Sequence, residues 1–174
     1  MEITTADIKE LREICSAGIM DCRHALEEAG GDKKKAVEIL RERGCLKAAK
    51  KAERVTAQGL VEAYIHNGGR IGAMVELNCE TDFVARTDEF KQLAHDIAMQ
   101  VAAMDPQYIN LEAVPAGIEV EAEAACLLSQ PFIKDPSKLI NDLIVEVISK
   151  TGENIRVGHF VRFEIGLKAP SQTE

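Results

Sequence analysis

The side chains that could support chemistry are scattered along this chain. Its four histidines (24, 66, 95 and 159) lie far apart in the sequence. The sequence lacks four common motifs of catalytic and nucleotide-binding sites. They are the phosphate-binding G-x-x-x-x-G-K-[ST] loop, the G-x-G-x-x-G turn, the G-x-S-x-G nucleophile elbow and the H-E-x-x-H zinc motif. His95 and Asp96 are adjacent, so on a helix they point about 100° apart and cannot face each other. The sequence therefore predicts a binding protein, not an enzyme, with no catalytic residue, cofactor or metal.

The cysteines give the same answer. Their number is odd and no two have C-x-x-C spacing, which favours reduced thiols over a disulfide framework or a zinc site; they are Cys15, Cys22, Cys45, Cys79 and Cys126. The start, Met1-Glu2-Ile3-Thr4, lacks the basic and apolar stretches of a signal peptide. No apolar run approaches the length of a membrane span. We expect a cytoplasmic protein without a membrane partner.

The charge of the chain is unevenly distributed. The net charge is -8, yet residues 33–54 hold nine Lys/Arg against three Glu, a local +6. The remainder carries 12 basic and 26 acidic residues, or -14. A basic segment on an acidic body indicates either a solvated helical face or an electrostatic contact with an acidic protein or RNA. The solvated face is the favoured interpretation, and we expect no direct nucleic-acid partner.

Helical signals dominate residues 1–54. Thr4 and Asp7 have the spacing of a capping box. Glycines and cap residues then predict a first helix ended by Gly18, a second from about Met20 to Ala29, a third from Asp32 to Gly44, and a short basic helix over about Cys45–Ala52. The segment reads as a compact helical unit.

The hydrophobic period changes to two after residue 60. Two alternating runs flank His66-Asn67-Gly68-Gly69-Arg70, which predicts a β-hairpin because Asn-Gly favours positive φ. An amphipathic helix follows, with an apolar stripe of Phe90, Leu93, Ala94, Ile97 and Val101, and Asp105-Pro106 ends it. Residues 105–130 show only weak periodicity.

The last part of the chain predicts one more helix and one more strand. Asp135-Pro136 suits an N-cap and first helical position. The apolar face that follows is Leu139, Ile140, Leu143, Ile144, Val147 and Ile148, and Gly152 closes this helix. Val161, Phe163 and Ile165 alternate with polar residues in a final strand, and the tail from Lys168 is polar.

These patterns give an α+β fold. We predict a helical domain over 1–54, a core domain of a three-stranded antiparallel sheet packed against helices over 55–167, and a polar tail over 168–174. The stretch Gly18–Leu26, with Gly31-Asp32 and Leu40, resembles a ubiquitin-associated-like three-helix domain. The turn at Gly18 leaves Ile19 and Met20 either as an adaptable contact surface or as plugs of the small core.

A second segment runs from Val75 to Arg86 (VELNCETDFVAR), at the end of a strand and the start of a helix. Together with the first segment it closely resembles the elongation factor Ts family. Further agreement lies in Leu46-Lys47-Ala48-Ala49-Lys50-Lys51, Gln130-Pro131-Phe132-Ile133-Lys134-Asp135 and Thr151-Gly152-Glu153-Asn154-Ile155. The resemblance covers nearly the whole chain.

The resemblance implies guanine-nucleotide exchange on the translation GTPase elongation factor Tu. Thr81, Asp82, Phe83 and Val84 match the family motif that dislodges Mg²⁺ from the GTPase, with Asp82 and Phe83 entering between its helices. Ile19 and Met20 would contact the nucleotide domain near its phosphate loop, and Ile19 stands where Met is common in the family. Without the resemblance, Phe83 would be interpreted as a core residue that caps the long helix.

The sequence departs from the family pattern at one place. Between about Glu121 and Ala124 it lacks a segment of several helical turns, and Ala125 resumes the pattern. The chain also holds one hairpin-and-helix unit where long members of the family hold two, which implies a homodimer in which each factor Tu touches both subunits.

Two other functions stay open from the sequence. Residues 1–54 could act as a ubiquitin-associated-like adaptor or chaperone module that binds helices or nascent chains, and such a module would keep its activity without residues 81–84. Lys47–Arg54 could bind RNA, with an affinity that falls steeply with salt.

Overall fold

The computed structural model describes residues 3–15 and 17–166. Its helices and strands are α1 (Thr5–Cys15), α2 (Ile19–Glu28), α3 (Lys33–Ala49), β1 (Gln58–Ile65), β2 (Ile71–Cys79), α4 (Asp82–Ala85), α5 (Asp88–Met104), α6 (Ala122–Ala125), β3 (Pro131–Phe132), β4 (Asp135–Leu139), α7 (Ile140–Thr151) and β5 (Ile155–Glu164). The predicted α+β class is confirmed. The start at Met1-Glu2 and the predicted tail over 168–174 lie outside the described residues.

The caps predicted for the N-terminal helices are present. The Asp7 amide donates to Thr4 Oγ1 (3.2 Å) and the Thr4 amide donates to Asp7 Oδ2 (3.1 Å), so the capping box at α1 is reciprocal. The hydrogen bonds from Thr4, assisted by Lys33, lower the pKa of Asp7 from 3.8 to about 2. At α3, Asp32 Oδ1 accepts from the amides of Lys34 and Lys35.

The predicted break at Gly44 is wrong. Helix α3 runs without interruption from Lys33 to Ala49, and no separate basic helix follows within the described residues. Gly44 is buried, and a Cβ there would lie 3.1 Å from Val145 Cγ1 on α7. The glycine therefore allows two helices to approach closely, and this packing outweighs its low helix propensity.

The first three helices share a small apolar cluster. Its buried members are Leu11, Cys22, Ala25, Leu26, Ala36 and Leu40. The C-terminal end of α3 contacts a second, larger apolar cluster, because Ala48 packs against the core formed by the sheet, α5 and α7. The division of the chain at residue 54 stays a prediction, and α3 is the element that the two clusters share.

The main sheet has the order β1-β2-β5 and is antiparallel throughout. The predicted hairpin between β1 and β2 is confirmed. Its positive φ angles fall on Gly68 (88°) and Gly69 (68°). Asn67, which precedes these two glycines, therefore does not adopt a left-handed conformation.

One face of this sheet forms the core. Val75, Leu77 and Cys79 alternate inward from β2 and pack with α5 and α7. The predicted stripe of α5 is buried throughout, as are Ile140, Ile144, Val147 and Ile148 of α7. The outer face is exposed and apolar, and its large hydrophobic residues are Val61, Ile65, Met74, Val161, Phe163 and Ile165.

The predicted helix start at Asp135-Pro136 is wrong. Residues 135–139 form β4, which pairs with β3, and α7 begins at Ile140. The Asp135 carboxylate accepts from the Ser137 amide (3.2 Å) and hydroxyl (2.6 Å), two contacts within β4 that take the place of a helix cap. The Asp142 carboxylate caps the true start by accepting from the Leu139 amide at 2.8 Å.

Residues 105–130 are a connection that side-chain amides fasten to α5. Buried Gln100 donates to Gln130 Oε1 and to the Pro131 carbonyl, both at 3.1 Å. Gln130 in turn donates to the Ala124 carbonyl at 2.9 Å.

In the described part of the chain, the helices are too short or too polar to cross a membrane.

Candidate functional site

The acidic-aromatic segment forms a projecting tip where β2 meets α4. Thr81 is extended (φ -127°, ψ 155°) and Asp82 begins the single turn of α4. Phe83 is 78% exposed, whereas the next two residues, Val84 and Ala85, are buried. The interpretation of Phe83 as a core residue is therefore wrong, because its neighbours anchor the turn and leave the ring in solvent.

The base of this tip is held by one carboxylate. Glu153, in the loop between α7 and β5, accepts from the amides of Glu80 (3.1 Å) and Thr81 (3.0 Å) through Oε2. Its Oε1 accepts from the Thr81 hydroxyl at 2.6 Å. Hydrogen bonds to a charged acceptor are stronger than neutral ones, so three of them fix the backbone that leads into α4.

The charged residue of the tip is weakly engaged. Asp82 pairs with Arg86 at 2.8 Å along one turn; the Arg86 side chain is exposed and that of Asp82 is half-exposed. An exposed ion pair of this kind contributes little to stability. Asp82 can therefore exchange its partner at small cost when another surface approaches.

The turn between α1 and α2 presents a second apolar surface. Ile19 is 56% exposed and Met20 is 57% exposed, whereas Cys22, Ala25 and Leu26 of the same helix are buried. The interpretation of Ile19 and Met20 as plugs of the small core is therefore wrong. Gly18, in an extended conformation (φ -61°, ψ 148°), occupies the N-cap position and places both side chains on the first turn of α2.

The basic segment is largely occupied by pairing within the chain. Five of its nine cations have acidic partners: Lys33 with Asp7 and Glu10, Arg41 with Asp142, Arg43 with Glu28, Lys47 with Asp21, and Arg54 with Glu80. This pairing favours the interpretation of a solvated, charge-balanced face over an RNA-binding face.

Burial raises the pKa of three thiols, those of Cys15, Cys22 and Cys79, and so favours their protonated form. Burial and the nearby Glu153 carboxylate raise the pKa of Cys79, whose thiol donates to the Thr81 carbonyl at 3.1 Å. Burial raises the pKa of Cys15 to about 11, with a further contribution from Cys22. Among residues 3–15 and 17–166, no three His, Cys, Asp or Glu side chains are grouped as a metal site.

Sequence reasoning missed the residues that support the tip. The sequence marks Glu153 and Asn154 only as part of the family-like stretch Thr151–Ile155 and assigns them no role. They lie more than 70 positions from the residues that they hold, and nothing in a single sequence marks such a pairing. The exposed outer face was also missed, because alternation in a strand does not say which side is covered.

Exposed apolar surfaces on an ordered α+β frame are typical of a protein that contacts another macromolecule. Comparison with known proteins agrees. The sequence model of the family described as elongation factor TS matches residues 2–125. Elongation factor Ts of Carboxydothermus hydrogenoformans is 52% identical, over 94% of this chain and 89% of that relative. The proteins of the same name from Thermotoga petrophila and Thermotoga maritima are each 50% identical, over 95% of this chain and 98% of theirs. The chain belongs to the elongation factor Ts family, and is thus a translation elongation factor.

The relatives are longer within the aligned region. The alignment with the Carboxydothermus protein has 194 positions, and 94% of 174 residues is about 164. The alignment therefore includes about 30 positions at which this chain has no residue. The family model also stops matching at residue 125.

Proposed function

We propose that this protein promotes GDP release from elongation factor Tu by inserting its tip, Thr81–Val84, beside the Mg²⁺ and phosphate site of the GTPase. One observation supports this most strongly. Phe83 projects into solvent from a turn whose neighbouring residues are buried and whose base is fixed by hydrogen bonds. A large exposed ring on an ordered support is a surface that gains free energy only when a partner covers it.

The chemistry of the tip suits disturbance of a metal site. A bound Mg²⁺ is a large local charge that helps to hold the nucleotide phosphates. A ring pushed between the helices that support this ion changes its surroundings without touching the guanine base. Burial of Phe83 in the partner contributes about 2–3 kcal/mol, which offsets the distortion of the GTPase. Asp82 brings a negative charge. It can compete with the nucleotide phosphates and with the acidic groups around the metal for their positively charged partners.

The turn with Ile19 and Met20 is proposed as a second contact, on the nucleotide domain near its phosphate loop. Methionine is flexible and adapts to irregular surfaces, and isoleucine keeps the turn apolar. Contact at two places favours an arrangement in which one surface holds the GTPase while the other disturbs its metal. Neither contact requires covalent chemistry, so the protein accelerates a dissociation and is not an enzyme in the chemical sense.

The exchange must be reciprocal. If this protein lowers the affinity of the GTPase for GDP by some factor, GDP lowers the affinity for this protein by the same factor. Incoming GTP then displaces the exchange factor, which returns to another GDP complex. This cycle belongs to translation elongation and takes place in the cytoplasm.

We further propose that the protein is a homodimer that uses the outer face of its sheet. Met74 lies opposite Ala63 on one neighbouring strand and Val161 on the other, and Phe163 extends the same apolar surface. Phe163 is 64% exposed within one chain. A second copy offers an identical face, as a twofold interface requires. Each factor Tu would then touch both subunits.

We place the missing segment between about Glu121 and Ala124. The point at which the family model stops matching and the about 30 unmatched alignment positions support this location. The short helix α6 and the hydrogen bond from Gln130 to the Ala124 carbonyl close the connection directly. The tip and the turn with Ile19 lie before this point in the chain.

The test is release of fluorescent GDP from purified elongation factor Tu, with and without the protein. The proposal predicts faster release that saturates with protein concentration. An adaptor or chaperone that acts through residues 1–54 would leave GDP release unchanged and would not need residues 81–84. An unchanged release rate at saturating protein would therefore reject the proposed exchange function.

A further inference from the structure

The loop Gly152–Asn154, between α7 and β5, touches both the tip and the segment that leads out of α3. We propose that this loop is a clamp that positions the tip for exchange, with Glu153 as its positioning residue. The inference rests on the proposed function for its kinetic consequence. The clamp itself is built from hydrogen bonds that can be tested without the GTPase.

Glu153 and Glu80 hold each other's loops in a reciprocal arrangement. The Glu153 carboxylate accepts from the amides of Glu80 and Thr81 and from the Thr81 hydroxyl. In the opposite direction, Glu80 Oε1 accepts from the Asn154 amide at 2.6 Å. The backbone that enters the tip and the backbone that enters β5 are thus joined by four hydrogen bonds over a short distance.

The same loop fixes the segment that follows α3. Asn154 is buried, and its Nδ2 donates to the carbonyls of Ala52 (3.3 Å) and Arg54 (2.9 Å). The Arg54 side chain reaches Glu80 at 3.4 Å. The tip and the segment that follows α3 are therefore connected through adjacent residues of one loop, and Glu153 serves the tip side of this connection.

The tip needs such support because it cannot order itself. Helix α4 has four residues, and an isolated single turn is unstable in water. Without Glu153, two amides and one hydroxyl at the base of the tip lose their acceptor. The tip would then have to be ordered during each encounter with the GTPase, and this cost would appear in the rate at which GDP leaves.

Two conservative substitutions separate geometry from charge. In Glu153→Gln the amide oxygen can accept from both backbone amides, and the amide nitrogen can donate to the Thr81 hydroxyl oxygen. The charge is lost but the bonds are kept. In Glu153→Asp the charge is kept, but the shorter side chain cannot reach the three donors together. The clamp predicts that Gln functions and Asp does not.

The kinetic experiment measures GDP release from elongation factor Tu over a range of protein concentrations, with circular dichroism to verify folding. We expect Glu153→Asp and Glu153→Ala to lower the saturating release rate about tenfold. The half-saturating concentration should change much less, because the turn with Ile19 is intact. Glu153→Gln should stay close to the parent, as should the matched control Lys150→Ala on the last turn of α7. A parent-like rate for Glu153→Asp, or an equal loss for Glu153→Gln, overturns the clamp.

Amide hydrogen exchange on the free protein gives an independent readout. The amides of Glu80 and Thr81 should exchange faster in Glu153→Asp than in the parent or in Glu153→Gln, while amides in the centre of α5 keep their protection. Equal protection in all three proteins would show that Glu153 does not hold the tip. If the parent protein fails to accelerate GDP release, the exchange function is rejected, and the hydrogen-exchange result still decides whether the clamp exists.

Discussion

Replacing Phe83 with alanine tests the role assigned to the tip. In the free protein the ring is 78% exposed, so its removal takes little apolar contact away from the fold. We expect the free energy of unfolding to change by less than about 0.5 kcal/mol, as for most surface substitutions. If the ring is buried by the GTPase, the loss of this exposed part amounts to about 2 kcal/mol. That corresponds to about a 30-fold slower exchange.

The assay is stopped-flow release of fluorescent GDP at several concentrations of parent and Phe83→Ala protein. Leu111→Ala is the matched control, since Leu111 is also a large exposed apolar residue and lies outside the proposed contact surfaces. The control should release GDP at the parent rate. A folded Phe83→Ala protein that matches the parent across the whole concentration range would refute the proposal that this ring disturbs the GTPase.

Three further predictions concern assembly and stability. Phe163→Asp places a charge on the outer face of the sheet and should convert the proposed dimer to a single 19.0 kDa chain in sedimentation; a parent that is already monomeric at micromolar concentration contradicts the dimer. Asp7 has a folded pKa of about 2 against an ordinary 3.8, so its stabilisation is present above pH 3.8 and is lost as the pH falls toward 2. Thermal unfolding midpoints measured across that range should fall less steeply for Asp7→Asn than for the parent, and identical slopes would contradict this. Gly59 has φ 153°, and a Cβ there would lie 2.1 Å from the Leu77 carbonyl oxygen. Gly59→Ala should therefore lower the free energy of unfolding by about 2 kcal/mol, which is measured as a lower denaturant midpoint. An unchanged midpoint would show that the β1–β2 pairing can absorb the added methyl group.

Local signals in the sequence predicted most of the elements. The reciprocal cap of Thr4 and Asp7, the Asp32 cap, the Gly68-Gly69 turn and the apolar stripe of α5 all depend on residues within a few positions of each other. Such features are set by backbone chemistry that the sequence displays directly.

The errors have a common cause in long-range packing. Gly44 appears as a helix end in the sequence, yet α3 continues through it. The absence of a Cβ at Gly44 lets Val145 of α7 pack closely against α3. Asp135 appears as a helix cap, yet its carboxylate accepts from Ser137 within β4. In both cases the deciding partner or the competing hydrogen bond is not visible in the local pattern.

The site was predicted in part. The tip and the turn at Ile19 were located through family motifs, and the physical chemistry of Phe83 alone favoured a core position that the structure contradicts. The supporting residues were not predicted, since Glu153 meets Thr81 only through the folding of α5 and α7 between them. Exposure and support both depend on tertiary structure, which a short motif does not contain.

The central claim is that the tip weakens GDP binding by disturbing the metal site of the GTPase. The most direct test compares the acceleration of GDP release by this protein in excess Mg²⁺ and in a chelator that removes Mg²⁺. The account predicts a large acceleration of GDP release with Mg²⁺ present and a much smaller one without it. In the chelator the ion has already been removed, so the tip has no metal left to disturb. An equal acceleration in both conditions, or none in Mg²⁺, would contradict it.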